Sequence, residues 1–112
     1  MHDPNRSLWY VETPDGGVRA ATAEEAVPLY GSFDLRRVGE TEVGGYRVST
    51  VFLVMDHAFG GGSPMLYEMM VFGEGPLDQY RRLYATRAEA LAGHEETVAA
   101  IREGRLAELS DE

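Results

Sequence analysis

At 112 residues, 44% of them hydrophobic and 26% charged, the chain can build one globular domain and has no material left for a second core. Nineteen acidic residues against ten basic ones give a formal charge of -9, a surface that repels phosphate backbones and anionic lipid, so neither nucleic acid nor a membrane is expected as a partner. The lack of cysteine excludes disulfides, thiolate metal sites and a cysteine nucleophile.

The chain opens on Met1-His2-Asp3-Pro4, which is not the basic-then-apolar order of a signal peptide, and its longest apolar run, Val51 to Met55, is too short to cross a bilayer. A cytoplasmic protein is expected. Leu8-Trp9-Tyr10-Val11 predicts a short strand, closed by Pro14-Asp15-Gly16-Gly17, with 18–21 returning beside it. Thr22-Ala23-Glu24-Glu25 has capping-box spacing and starts a short helix that Pro28 limits to about two turns. Segments 36–43 and 46–55 are rich in strand formers, and Gly44-Gly45 joins them as a two-residue hairpin turn.

Residues 65–72 predict a further strand, broken by Gly73-Glu74-Gly75-Pro76, and 80–84 a short edge strand. Thr86-Arg87-Ala88-Glu89 is a second capping box opening a helix to about Arg105, with Ala88, Leu91, His94, Val98 and Ile101 on the stripe expected to meet the sheet. Leu106 to Glu112 reads as an acidic tail. The expected fold is α+β: one domain over 1–112 with its ordered core at about 7–105. An antiparallel sheet of four or five strands carries the long C-terminal helix on one face, with a short N-terminal helix.

Between the central strands lies Asp56-His57-Ala58-Phe59-Gly60-Gly61-Gly62-Ser63-Pro64. Pairing Met55 with Met65 around this loop sets Val51, Leu53 and Met55 against Met69, Tyr67 and Met65. Thr50, Phe52 and Val54 then meet Met70, Glu68 and Leu66 on the other side. Both faces are apolar in that register, and a second subunit is expected to cover the one the helix leaves open, making the protein a homo-oligomer, most simply a dimer.

Glu68 stands alone among apolar neighbours and is either paired with Arg47 or Arg81 or is a ligand contact or general base. Asp56 before the glycines either caps the loop or, with His57, serves chemistry. In the same register the Asp56 and Glu68 backbones lie about 13 Å apart, wide for a carboxylate dyad. Asp56, His57, Glu68 and His94 are metal-ligand types without a standard ligand spacing, so no metal is expected. His94 is expected as a core histidine. The glycine loop offers amides for an anion but lacks the lysine and following helix of a phosphate loop, and no cofactor motif is present.

Val48 to Leu53, Asp56-His57, Phe59-Gly60, Pro64, Leu66, Glu68 and Met70-Val71-Phe72, followed by Tyr84-Ala85-Thr86, Glu89-Ala90 and Gly93-His94, stand in the order of a recurring pattern. Through it, the stretch from Tyr46 to Ile101 resembles a family of small uncharacterised proteins of bacteriophages, prophages and actinobacteria. The chain departs from that pattern with Val54-Met55 for Gly-Leu, Tyr67 for Phe and Met69 for Thr. The resemblance implies a dispensable phage or prophage gene whose product works in the host cytoplasm.

The leading expectation is therefore a small, non-enzymatic, oligomeric binding protein that counters a host defence by sequestering a nucleotide-like signal or blocking a protein. Its candidate contacts are Asp56, His57, Gly60, Gly61, Gly62, Glu68, His94 and Arg47. The alternatives are a hydrolase or lyase using His57 with Asp56 or Glu68, and a structural phage protein.

Overall fold

The structure, a computed structural model, describes residues 8–57 and 62–109. Trp9–Glu12 (β1) and Val18–Ala21 (β2) form an antiparallel ribbon whose turn is held by the Asp15 carboxylate accepting the Gly17 amide at 3.1 Å. Ala23–Tyr30 (α1) opens on a complete capping box: the Thr22 hydroxyl accepts the Glu25 amide and the Glu25 carboxylate accepts the Thr22 amide. It runs past Pro28 to Tyr30, two turns in all. A second helical turn, Phe33–Arg36 (α2), follows at once, capped by the Ser32 hydroxyl, which accepts the Leu35 amide.

Arg37–Val43 (β3) and Tyr46–Phe52 (β4) form the glycine-turn hairpin, with Gly44 and Gly45 at φ 56 and 84, the left-handed pair that a primed turn needs. Tyr67–Gly73 (β5) and Arg81–Tyr84 (β6) complete an all-antiparallel sheet in the order β3-β4-β5-β6. Arg87–Arg102 (α3), whose first turn is capped by Thr86, packs across one face of all four strands. The fold is α+β, with the β1-β2 ribbon as a second small sheet. Leu106–Leu109 form a 3-10 turn with Leu109 buried, so these residues add to the core where an acidic tail was expected.

The central register differs from the expected one by a single residue. Phe52 faces Tyr67 and Val51 faces Glu68, where Val51 had been set against Met69 and Phe52 against Glu68. Because side chains alternate, a one-residue slip changes which residues share a face. Tyr46, Val48, Thr50 and Phe52 now lie with Tyr67, Met69 and Val71, all buried, while Arg47, Ser49 and Val51 lie with Glu68, Met70 and Phe72. The sheet therefore has a dry inner face and a mixed outer one, and the argument that both faces are fully apolar does not hold.

The slip has a local cause. Val54 sits at φ 70, buried, a left-handed conformation that a β-branched residue adopts at a cost of roughly 1–2 kcal/mol. It turns the chain so that residues 54–56 hydrogen-bond to β1 instead: Tyr10 donates to the Val54 carbonyl at 2.8 Å and Asp56 to the Leu8 carbonyl at 3.1 Å. Val54 and Met55 thus tie the ribbon to the main sheet, and Met55 bridges Trp9.

The buried face of α3 also differs. Ala90, Gly93, His94, Thr97, Val98 and Ile101 point inward, whereas Ala88 and Leu91 are exposed. Small residues win these places because Tyr84 of β6 stands directly beneath. A Cβ on Gly93 would lie 2.9 Å from Tyr84 Cε1 and closer still to its Cζ and hydroxyl. The helix descends onto the sheet as far as it does because that side chain is missing.

Candidate functional site

The candidate residues fall in three separate places. Asp56 and His57 stand at the mouth of the glycine loop, where the Asp56 carboxylate accepts the Met65 amide at 3.1 Å and the His57 amide donates to the Met65 carbonyl at 3.0 Å. The two hydrogen bonds clamp the loop's base, and Asp56 acts structurally, holding Met65 across the mouth where a cap of its own backbone was expected. Gly62 is exposed at φ 80, and Gly60 and Gly61 lie outside the described residues.

Arg47 and Glu68 lie on the outer face of the sheet. Glu68 pairs with Arg81 at 3.0 Å, an ion pair from neighbouring strands, and the register sets it opposite Val51, five residues before Asp56, where Phe52, four before, had been expected. Arg47 stacks over Phe72, its guanidinium 4.5 Å from the ring centre, with Glu40 at 3.9 Å. Between them a shallow cleft of about 120 Å³ is floored by Ser49, Val51 and Met70 and walled by Arg47, Glu68 and Phe33 of α2. The larger hollow, about 600 Å³, lies open at the β3-β4 hairpin tip and shares with the candidate residues Arg47.

His94 is on the opposite side, 2% exposed between α3 and the inner face. Its Nδ1 lies 2.8 Å from the Thr50 hydroxyl and its Nε2 2.9 Å from the Thr41 hydroxyl, so in either neutral tautomer one ring nitrogen donates and the other accepts. Burial holds its pKa below 6.5, against a weaker upward pull from Glu95. Gly39 faces the ring edge-on: a Cβ there would lie 3.3 Å from His94 Cε1. His94 is a satisfied core residue, as expected, paired with two hydroxyls.

A fourth polar group went unread in the sequence. The buried Tyr67 hydroxyl donates to Glu12 at 2.6 Å, and Arg87 donates to the same carboxylate oxygen at 2.9 Å. Burial and the Glu12 carboxylate push the Tyr67 pKa well above its usual 10, keeping it a donor. The three side chains come from β5, β1 and the first turn of α3, so they pin the ribbon to the main fold. Among the described residues no group of three or more His, Asp or Glu side chains is placed to hold a metal ion.

The sequence also gave no warning of the surface built by α1 and α2. Val27, Tyr30, Phe33 and Leu35 are exposed there, Leu35 at 69%. Arg36 lies 5.8 Å from the Tyr30 ring centre and 6.0 Å from that of Phe33, and Arg37 lies 5.2 Å from Phe33. Arg36 donates to the Phe52 carbonyl at 3.2 Å, which anchors α2 to the end of β4. Phe33 then extends this surface onto the outer face of the sheet. Ser32 as a cap was the available signal, but four helical residues are too few to show a period.

No helix among the described residues is long and apolar enough to cross a membrane. Comparison of the chain with protein-family models, with curated proteins and with solved structures returns no match.

Proposed function

We propose that this chain is a small non-catalytic binding protein whose contact surface runs from α1 and α2 onto the outer face of the sheet. One observation carries the reading. Of the seven large hydrophobic residues exposed among the described residues, four fall within 27–35, and they abut the Val51 and Met70 floor through Phe33. Aromatic, methionine and arginine side chains gathered in this way have the composition of interface centres.

Two further facts support binding over catalysis. The titratable candidates lie apart, with Asp56 and His57 at a loop mouth, Glu68 neutralised by Arg81 and His94 sealed beneath α3. The outer-face cleft, at about 120 Å³, is also smaller than the roughly 300–1,000 Å³ of small-molecule sites, and the hollow of about 600 Å³ at the hairpin tip lies open to solvent; neither encloses a small ligand, which favours a protein target over a sequestered nucleotide-like signal. The resemblance of the 46–101 stretch to phage and prophage proteins supports a host setting.

A photo-crosslinking side chain at position 35, with one at position 91 on exposed α3 as control, tests the reading in cells. Protein adducts at 35 and not at 91 are expected. Equal labelling at both sites, or none at 35, would refute it.

A further inference from the structure

We propose that the outer sheet face is closed by the same face of a second copy of this chain, an inference that rests on the binding reading above and names its partner. The charges carry the argument. By register, Arg37, Arg47 and Arg81 share this face with Glu40, Glu42 and Glu68. Arg37 lies 3.3 Å and Arg47 3.9 Å from Glu40, and Arg81 3.0 Å from Glu68. The rim of the apolar floor is therefore neutral and mixed in sign.

Setting these three arginines and three glutamates aside from the chain's ten and nineteen leaves the whole excess of nine negative charges elsewhere. Away from this face the chain is net negative, so two copies that meet elsewhere do so against an average like-charge repulsion. On this face a two-fold rotation can set the arginines of one copy against the glutamates of the other, the self-complementarity that an isologous interface requires. A basic partner would be drawn to the remaining surface, and an acidic one finds no net positive charge here.

Size sets which elements join in. Strand spacing and rise give the four-stranded face a footprint of roughly 20 by 23 Å. A standard interface buries about 800 Å² per partner, so the sheet alone falls short. The exposed Phe33 of α2 borders the floor, and the exposed Leu35 stands two residues on in the same helical turn; in this arrangement the two extend the contact. Sheets stacked in this way sit about 10 Å apart, which brings Met70 and Phe72 of one copy onto those of the other.

Charge reversal tests this directly. One chain carries Arg37→Glu, Arg47→Glu and Arg81→Glu, and the other carries Glu40→Arg, Glu42→Arg and Glu68→Arg, each checked for folding by circular dichroism. Sedimentation from micromolar to millimolar concentration should show two-copy mass for the unaltered chain and single-copy mass for each reversed chain alone. An equimolar mixture should return to two-copy mass, with one of each chain by native mass spectrometry. Leu35→Glu, a change at an exposed position, should weaken association roughly tenfold or more and stands in if a reversed chain does not fold. Single-copy mass for the unaltered chain throughout, two-copy mass for either reversed chain alone, or indifference to Leu35→Glu would overturn the proposal. A single-copy chain that still crosslinks a foreign protein at position 35 would overturn self-association and leave the binding reading standing.

Discussion

Gly93→Ala tests how α3 is seated on the sheet. In an isolated helix the change is favourable by about 1 kcal/mol, because glycine loses more backbone freedom than alanine. Here the new Cβ would lie 2.9 Å from Tyr84 Cε1 and nearer to Cζ and the hydroxyl, distances that unstrained Cβ atoms essentially never show. Tyr84 packs against both hydrophobic clusters, so it cannot swing aside without opening the junction between them. Overpacking of this kind costs about 1–3 kcal/mol, which outweighs the propensity gain in most of its range. The expected net loss is about 1 kcal/mol, the middle of a range of about 0–2, and each kcal/mol lowers Tm by roughly 4–8 °C for a domain near this size. The decisive assay is a double-mutant cycle by urea unfolding. With Tyr84→Ala in place the clash is gone, and Gly93→Ala should become neutral or stabilising, by up to about 1 kcal/mol. The same effect in both backgrounds would mean that Tyr84 does not limit how closely α3 sits on the sheet.

Three other outcomes follow from the polar groups. His94 is held neutral in the fold with its pKa lowered below 6.5, so the unfolded chain takes up its proton first as pH falls; stability should decline below about pH 6.5 and His94→Gln should flatten that part of a urea-midpoint profile. Glu12→Ala strands the buried Tyr67 hydroxyl and should cost about 1–3 kcal/mol, whereas Tyr67→Phe, which removes the donor along with its need, should cost less; equal losses in thermal unfolding would argue against the latch. Asp56→Ala removes the carboxylate that holds the Met65 amide and should raise hydrogen exchange at Met65 and His57 up to about tenfold, while amides of α3 stay unchanged.

Much of the fold was legible because its signals are local. Thr22 with Glu25 marked the start of α1, Thr86 with Glu89 that of α3, and Gly44-Gly45 the β3-β4 turn; each works within four residues. The central register was not legible, because it is decided by distant partners. Pairing outward from Met55 and Met65 assumes a hairpin that continues to its loop, but Val54 leaves that pairing to meet β1, some forty residues earlier in the chain. Glycine takes the left-handed conformation freely, but a valine gives no local sign of it.

The inner face of α3 was misread for a related reason. Hydrophobicity marks Leu91, but Gly93 and Ala90 are buried because they are small, and their fit depends on Tyr84. The candidate residues were individually visible as polar exceptions, and their separation into loop mouth, outer face and inner face follows from the register. The α1 and α2 surface was invisible for want of length in α2.

Association through the face that carries Val51, Met70 and Phe72 underlies both proposals. Hydroxyl-radical footprinting across a concentration series measures it directly. Exposed Phe33 and Leu35 and half-buried Met70 and Phe72 should lose labelling as concentration rises, while the exposed Leu8, Val18 and Leu91 keep theirs. Labelling that is independent of concentration at Leu35 and Met70, or protection that falls on Leu91 instead, would contradict it.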